Sequence, residues 1–250
     1  MIQIQGLKKS FDQHAVLDGI DLHVQKGETR VIIGGSGEGK SVLLKIIIGL
    51  MEPDEGTIIL RGIRADYRNR HSLQEVRKFV GMLFQSSALF DSMSVRGNVG
   101  FALDENSLLT PSQIDSIVRE KLALVNLEEV EEMTPAELSG GMKKRVSLAR
   151  ALAANPEIML YDEPTTGLDP INADAINNLI LDLQRKLSVT SLVVTHDIQS
   201  ACKVADRISM LHRGKIIATG TPQDIKRSSD PYVRQFIAGQ AEAIAQERLV

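Results

Sequence analysis

Apolar and polar positions alternate over residues 2–24, where Ile2, Ile4, Val16, Ile20, Leu22 and Val24 share one side of the pattern. A period of two places one face of an extended chain on a core, and Gly6 and Gly19 punctuate it, so short antiparallel strands are expected. The apolar run Val31-Ile32-Ile33 reads as a buried strand, and Val42 to Ile48 reads as a helix after an intervening glycine-rich stretch. A turn at Glu52-Pro53-Asp54-Glu55-Gly56 leads to a strand over Thr57–Leu60, a helical stretch over Ser72–Arg77 and a strand over Phe79–Phe84 that ends on Gln85.

Between about 86 and 150 the pattern becomes helical and charged. Thr110-Pro111 supplies an N-cap and a first-turn proline, and Ile114, Ile117, Val118, Leu122 and Val125 trace one helical face. The second half alternates strands (158–161, 191–195, 208–211, 215–218) with helices near 171–187 and 197–205, and Gly214 marks a turn. Such alternation implies an α/β fold with a parallel sheet and helices on its faces, here with an N-terminal antiparallel β subdomain and an inserted helical subdomain. The stretch from Pro231 to Val250 is helical in character, as a surface helix with a frayed tail or as a partner-docking helix.

Composition narrows the class. At 250 residues the chain can form one large α/β domain with a sizeable core. A formal net charge of -3 provides no global basic field, so nucleic acid is not the expected partner. The single Cys202 excludes an internal disulfide and suits a reducing compartment. No apolar stretch is long enough to span a bilayer, and Met1-Ile2-Gln3-Ile4 lacks the character of a secretion signal. A cytoplasmic protein is expected; if it works at a membrane, other subunits must supply the spans.

The candidate chemistry centres on Gly34-Gly35-Ser36-Gly37-Glu38-Gly39-Lys40-Ser41, which lies between the strand 31–33 and the helix that follows. Glycines let consecutive backbone N–H groups turn inward around phosphate oxygens, and the helix dipole adds to the field. Lys40 would reach the β- and γ-phosphates and Ser41 would ligate Mg²⁺. Ile158-Met159-Leu160-Tyr161 is an apolar strand ending in Asp162 and Glu163. Downstream of a complete phosphate loop, Asp162 suits a Mg²⁺ ligand and Glu163 suits polarisation of the attacking water. Leu138-Ser139-Gly140-Gly141-Met142 opens a helix whose cap is Ser139 and whose paired glycines leave its first N–H groups bare. Phe11 is an isolated aromatic that fits either core packing or stacking on a purine.

Taken together and in order, these motifs closely resemble the nucleotide-binding subunits of ATP-binding cassette (ABC) transporters, from about residue 2 to 237. The resemblance implies a single nucleotide-binding domain over 1–239, with a helical subdomain at about 86–150 and a tail at 240–250. It implies Phe11 as the adenine-stacking residue, Gly34, Gly35, Ser36, Gly37, Glu38, Gly39, Lys40, Ser41 and Val42 around ATP, and Ser41, Gln85 and Asp162 around Mg²⁺. Glu163, His196 and Gln85 would serve hydrolysis. In a head-to-tail homodimer, Ser139, Gly140 and Gly141 would meet the γ-phosphate across the interface, and Asp169 of Gly167-Leu168-Asp169-Pro170 would lie beside it. Phe11 in place of the usual Tyr, Met142 in place of Gln and Val42 in place of a hydroxyl residue depart from the common pattern without removing a group that has a chemical role.

Within that family, the segment 84–95, the Met at the signature's last position and the closing Val233-Arg234-Gln235-Phe236 are similar to Mla-type ATPases of MCE-linked phospholipid transport. The partners implied are integral membrane permease subunits, an MCE-domain protein and a small cytoplasmic subunit, with this chain peripheral on the cytoplasmic face of the inner membrane. A polar-solute importer and a soluble cassette ATPase that remodels a scaffold, as in iron–sulfur cluster assembly, are the alternatives.

Overall fold

The computed structural model describes residues 1–12, 14–106 and 108–240, without the side chains of 105 and 106. The chain opens with β1 (Ile2–Phe11), β2 (His14–Val24) and β3 (Thr29–Ile33), then α1 (Lys40–Ile47), β4 (Glu55–Leu60), β5 (Ile63–Arg64), α2 (Arg70–Arg77) and β6 (Val80–Leu83). Three helices follow, α3 (Val95–Asn106), α4 (Pro111–Leu124) and α5 (Gly140–Leu152), with a 3₁₀ turn at Pro135–Glu137 before the last. The second half contains β7 (Ile158–Asp162), α6 (Pro170–Leu187), β8 (Thr190–Thr195), α7 (Ile198–Val204), β9 (Arg207–His212), β10 (Lys215–Gly220), α8 (Pro222–Lys226) and α9 (Pro231–Ala238).

Two sheets result. An antiparallel sheet has the order β2-β1-β4-β5, and a six-stranded sheet has the order β10-β9-β3-β8-β7-β6. In the larger sheet all pairings are parallel except β10 with β9. Its central strands β3, β7 and β8 are buried at every position. Their alternate side chains enter different cores: Val31, Ile33, Met159 and Tyr161 pack into one, Ile32, Ile158 and Leu160 into the other. The first core also takes the apolar faces of α4, α5 and α6. The second takes α1 and the inner face of the antiparallel sheet. A parallel sheet covered on both faces has no polar positions to alternate, which is why these strands appear in the sequence as unbroken apolar runs.

Register then positions the chemistry. Ile33 lies opposite Thr195, Asp162 opposite Val194, and Leu83 opposite Tyr161. The phosphate loop, the carboxylate pair, His196 and Gln85 therefore all leave the sheet at its carboxyl edge, where open α/β sheets bind ligands.

Several sequence expectations need correction. Gly6 and Gly19 do not break the N-terminal strands; they adopt φ of 56° and 79°, and a register shift at Gly6 is absorbed within strands of 10 and 11 residues. Residues 86–94 are turns rather than helix, and helical structure runs instead from Val95 to Leu152. Two consecutive left-handed residues, Ser87 and Ala88, prevent a helix from starting earlier. The C-terminal helix stops at Ala238 because Gly239 takes a left-handed cap at φ 64°. The expected continuation toward Val250 lies outside the described residues. The short α8, with a Thr221–Asp224 capping box, and β5 had no counterpart in the periodicity.

Candidate functional site

The loop from Gly34 to Gly39 closes at Gly39, a left-handed N-cap of α1 at φ 95° that supplies no side-chain cap to the first helical N–H groups. A helix N-terminus left uncapped beside a glycine-rich turn is a ready anion site. Lys40 is 6% exposed and donates to the carbonyls of Gly34 at 2.8 Å and Gly35 at 2.9 Å. Its ammonium thus spans the loop interior. Burial lowers the Lys40 pKa against the opposing pull of Glu163, whose Oε1 lies 3.7 Å away. Val42 lies within α1 and its partly buried side chain packs on the second core.

Ser41 Oγ donates to Asp162 Oδ1 at 2.7 Å. Burial raises the Asp162 pKa, and the Ser41 hydroxyl opposes that shift. A hydroxyl and a buried carboxylate in contact are hard oxygen donors of the kind Mg²⁺ takes when phosphates and water complete its shell, so the residues present fit that ion. Among the described residues no cluster of three His, Cys, Asp or Glu offers an all-protein metal site.

Glu163 sits one residue beyond β7 in the left-handed region, at φ 47°, held by its N–H bond to Val194 O at 2.9 Å. Its Oε2 accepts from Thr166 Oγ1 and Thr195 Oγ1, both at 3.2 Å, and lies 2.9 Å from His196 Nδ1. Those contacts fix one carboxylate oxygen and turn the other toward Lys40.

A second cluster forms at the start of α5. Ser139 caps the helix by accepting from Met142 N at 3.3 Å, and Asp169 caps α6 by accepting from Ile171 N and Asn172 N at 3.0 Å. Those bonds hold the Asp169 carboxyl below its usual range. A β-carbon on Gly141 would lie 3.0 Å from Asn172 Oδ1, so the paired glycines Gly140 and Gly141 and the turn containing Asp169 share one surface. Phe11 is 41% exposed at the tip of the β1–β2 hairpin, paired in register with His14.

Gln85 is exposed, and the backbone around it is gripped by one face of α5. Lys144 Nζ donates to Gln85 O, Ser147 Oγ to Ser87 O at 2.7 Å, and Arg150 Nη1 to Ala88 O at 2.8 Å. Burial lowers the pKa of Lys144, against the attraction of Asp162 and Glu163. Sequence reasoning did not single out these three donors. Their spacing of three was visible, but their acceptors, carbonyls at and beside the left-handed residues Ser87 and Ala88, were not. Thr166, Thr195, His212 and Tyr232 were missed likewise. The last two touch the loop from far along the chain: Glu38 Oε1 lies 3.3 Å from His212 Nδ1, and the His212 ring stacks on Tyr232 with centroids 3.5 Å apart.

A strand, a glycine loop and an uncapped helix whose Ser41 is held by the terminal carboxylate of a strand two places along the same sheet define a P-loop nucleotide-binding protein. Comparison with known proteins narrows the class: the family model described as ABC transporter matches residues 17–166, and the chain belongs to that family as an ATPase domain.

It is 42% identical over 238 residues to the probable ribonucleotide transport ATP-binding protein mkl of Mycobacterium tuberculosis, covering 95% of this chain and 66% of that one. The chain thus spans about two thirds of that relative's length. It is 39% identical over 242 residues to the intermembrane phospholipid transport system ATP-binding protein MlaF of Haemophilus influenzae, covering 97% of this chain and 92% of that one. The fold matches the dimeric post-hydrolysis structure of the ATP-binding cassette MJ0796 bound to ADP and Pi with a TM-score of 0.82 and 31% identity, covering 89% of this chain and 99% of that one.

Proposed function

We propose that this chain is the ATP-hydrolysing subunit of a phospholipid transporter and acts as a head-to-tail homodimer with one ATP between each phosphate loop and the partner's Ser139–Gly141 surface. The observation that carries the chemistry is the convergence of Lys40, Ser41, Asp162, Glu163 and His196 at the carboxyl edge of one sheet. Lys40 would exchange its two carbonyl acceptors for β- and γ-phosphate oxygens. Ser41 and Asp162, with Gln85 nearby, would hold Mg²⁺, which supplies charge neutralisation across the phosphates.

The reaction forms a bond between water oxygen and γ-phosphorus and breaks the bond from that phosphorus to the ADP oxygen. Glu163 Oε1 would orient the water and accept its proton, because Oε2 is already engaged by Thr166, Thr195 and His196. His196 holds the carboxylate and meets the γ-phosphate from the same side. Positioning of this kind accounts for most of the rate in phosphoryl transfer.

The lipid assignment draws on the MlaF likeness over nearly the full length of both chains. Permease subunits, an MCE-domain protein and a small cytoplasmic subunit are the proposed partners, with the chain peripheral on the cytoplasmic face of the inner membrane. Among the described residues no helix is long and apolar enough to cross it. The name of the mycobacterial relative favours a second reading, transport of a polar solute with the same ATPase chemistry.

Affinity purification of a tagged chain from detergent-solubilised membranes, with mass spectrometry of proteins and lipids, separates the two. A stoichiometric permease with an MCE-domain protein and phospholipid is expected. A permease accompanied by a soluble binding protein would move the substrate to the polar class. A purely soluble complex would remove the transport reading altogether.

A further inference from the structure

Glu38 poses a problem within the phosphate loop. Its carboxylate, swung into the cradle built for the phosphates of a nucleotide, would oppose binding, because like charges within a few ångströms repel. Its side chain is turned away from the loop interior. Oε2 accepts the Arg213 backbone N–H, and Oε1 lies 3.3 Å from His212 Nδ1.

That anchor is itself fixed from two directions. The turn after β9 is tied to β2 by the bond from Asp18 N to Gly214 O at 2.8 Å. The His212 ring lies against the Tyr232 ring of α9, 3.5 Å between centroids and 22° between planes. Tyr232 reaches the loop as well, since a β-carbon on Gly35 would lie 3.9 Å from its hydroxyl and 3.8 Å from Glu38 Oε1. These residues border a groove of about 1030 Å³ that runs from His14–Val16 along the loop to α9.

We infer that His212, braced by Tyr232, is a positioning residue for ATP binding that holds the Glu38 carboxylate out of the phosphate cradle. The inference rests on the ATPase reading and adds to it a device reaching from the C-terminal helix to the loop. Without the His212 side chain the carboxylate keeps only the Arg213 N–H and can pivot toward the phosphates, so the damage depends on Glu38 being charged. A merely structural role for His212 would not depend on that charge.

The test is a double-mutant cycle on the full chain, measured by calorimetric titration with Mg²⁺ and a non-hydrolysable ATP analogue. Reorienting one unit charge beside the phosphates in a partly wet site is expected to make His212→Ala bind roughly tenfold more weakly than wild type. Glu38→Gln keeps the backbone N–H that the loop offers to phosphate and removes the carboxylate charge, so it is expected to bind more tightly than wild type; Glu38→Gln/His212→Ala should fall within about twofold of Glu38→Gln, a coupling that independent sites do not show. His212→Phe keeps an aromatic ring against Tyr232 and removes the Nδ1 contact; it should weaken binding as His212→Ala does, and be rescued in the same way.

Equal losses from His212→Ala in the wild-type chain and in the Glu38→Gln chain would overturn the inference while leaving the ATPase reading intact. Failure of the wild-type chain to bind the analogue would overturn the ATPase reading, and this inference with it.

Discussion

Asp162 and Lys40 both sit in the site at a cost. The Ser41 hydroxyl and the nearby lysines favour the Asp162 carboxylate, but burial outweighs them and its pKa is raised. The folded chain therefore binds that proton more tightly than the unfolded chain. The ionised carboxylate opposes folding at neutral pH, and the opposition fades as pH falls through the folded value toward the ordinary carboxylate value. Asp162→Asn should accordingly raise the unfolding midpoint of the ligand-free chain at pH 7, by a margin that narrows on acidification. Calorimetric scans at several pH values check this, and a lower midpoint at neutral pH would refute it. The neighbouring Glu163 is held by position, with four donor groups crowding its Oε2. Glu163→Gln should bind ATP with near-normal affinity while turnover falls by about 10²-fold or more, the usual size of a lost general base; steady-state phosphate release and equilibrium binding measure the two halves.

Among the elements, the N-terminus of α1 is built against the hairpin of β1 and β2. A β-carbon on Gly39 would approach Val16 Cγ1 to 2.8 Å and Leu17 Cδ2 to 2.9 Å at a φ of 95°. Gly39→Ala combines a left-handed penalty with overpacking and should destabilise the chain by about 2–4 kcal/mol while displacing the loop. Denaturant unfolding with nucleotide titration would register both effects, and an unaltered midpoint would mean that the hairpin yields freely. α5 is the other decisive element: its cap presents the signature surface, while Lys144, Ser147 and Arg150 grip residues 85–88. One rigid helix thus joins the Gln85 segment to the face carrying Ser139–Gly141.

On the scale of the whole molecule, the Ser139–Gly141 surface packs beside Leu168 and Asn172, whereas the phosphate loop is built against Asp162, Glu163 and the β9–β10 turn. Two such chains arranged head to tail would complete each site with the other's α5. Glu163→Gln should therefore run as a dimer on size-exclusion chromatography with light scattering when Mg²⁺ and ATP are present, and as a monomer without nucleotide. A nucleotide-independent state of either kind would refute the shared-site arrangement. Tethering hydrolysis to closure in this way would couple it to a membrane partner.

The sequence by itself determined the strands of the larger sheet and the order of the chemistry. Val31–Ile33 and Ile158–Tyr161 were legible because a sheet covered on both faces demands unbroken apolar runs, and the phosphate loop because its glycine spacing is set by backbone geometry within eight residues. Thr110-Pro111 was legible for the same local reason, and it begins α4 with its capping box in place. Residues 86–94 were misread because their turn conformation depends on side chains of α5 some 60 positions later. Tertiary structure alone decided that Glu38 faces His212, that Glu163 is held by Thr195 and His196, and that a helix at 231–238 touches a loop at 34–41. Local pattern records which face of an element is buried, but which partner buries it is settled only when the sheet's register brings distant segments to one edge.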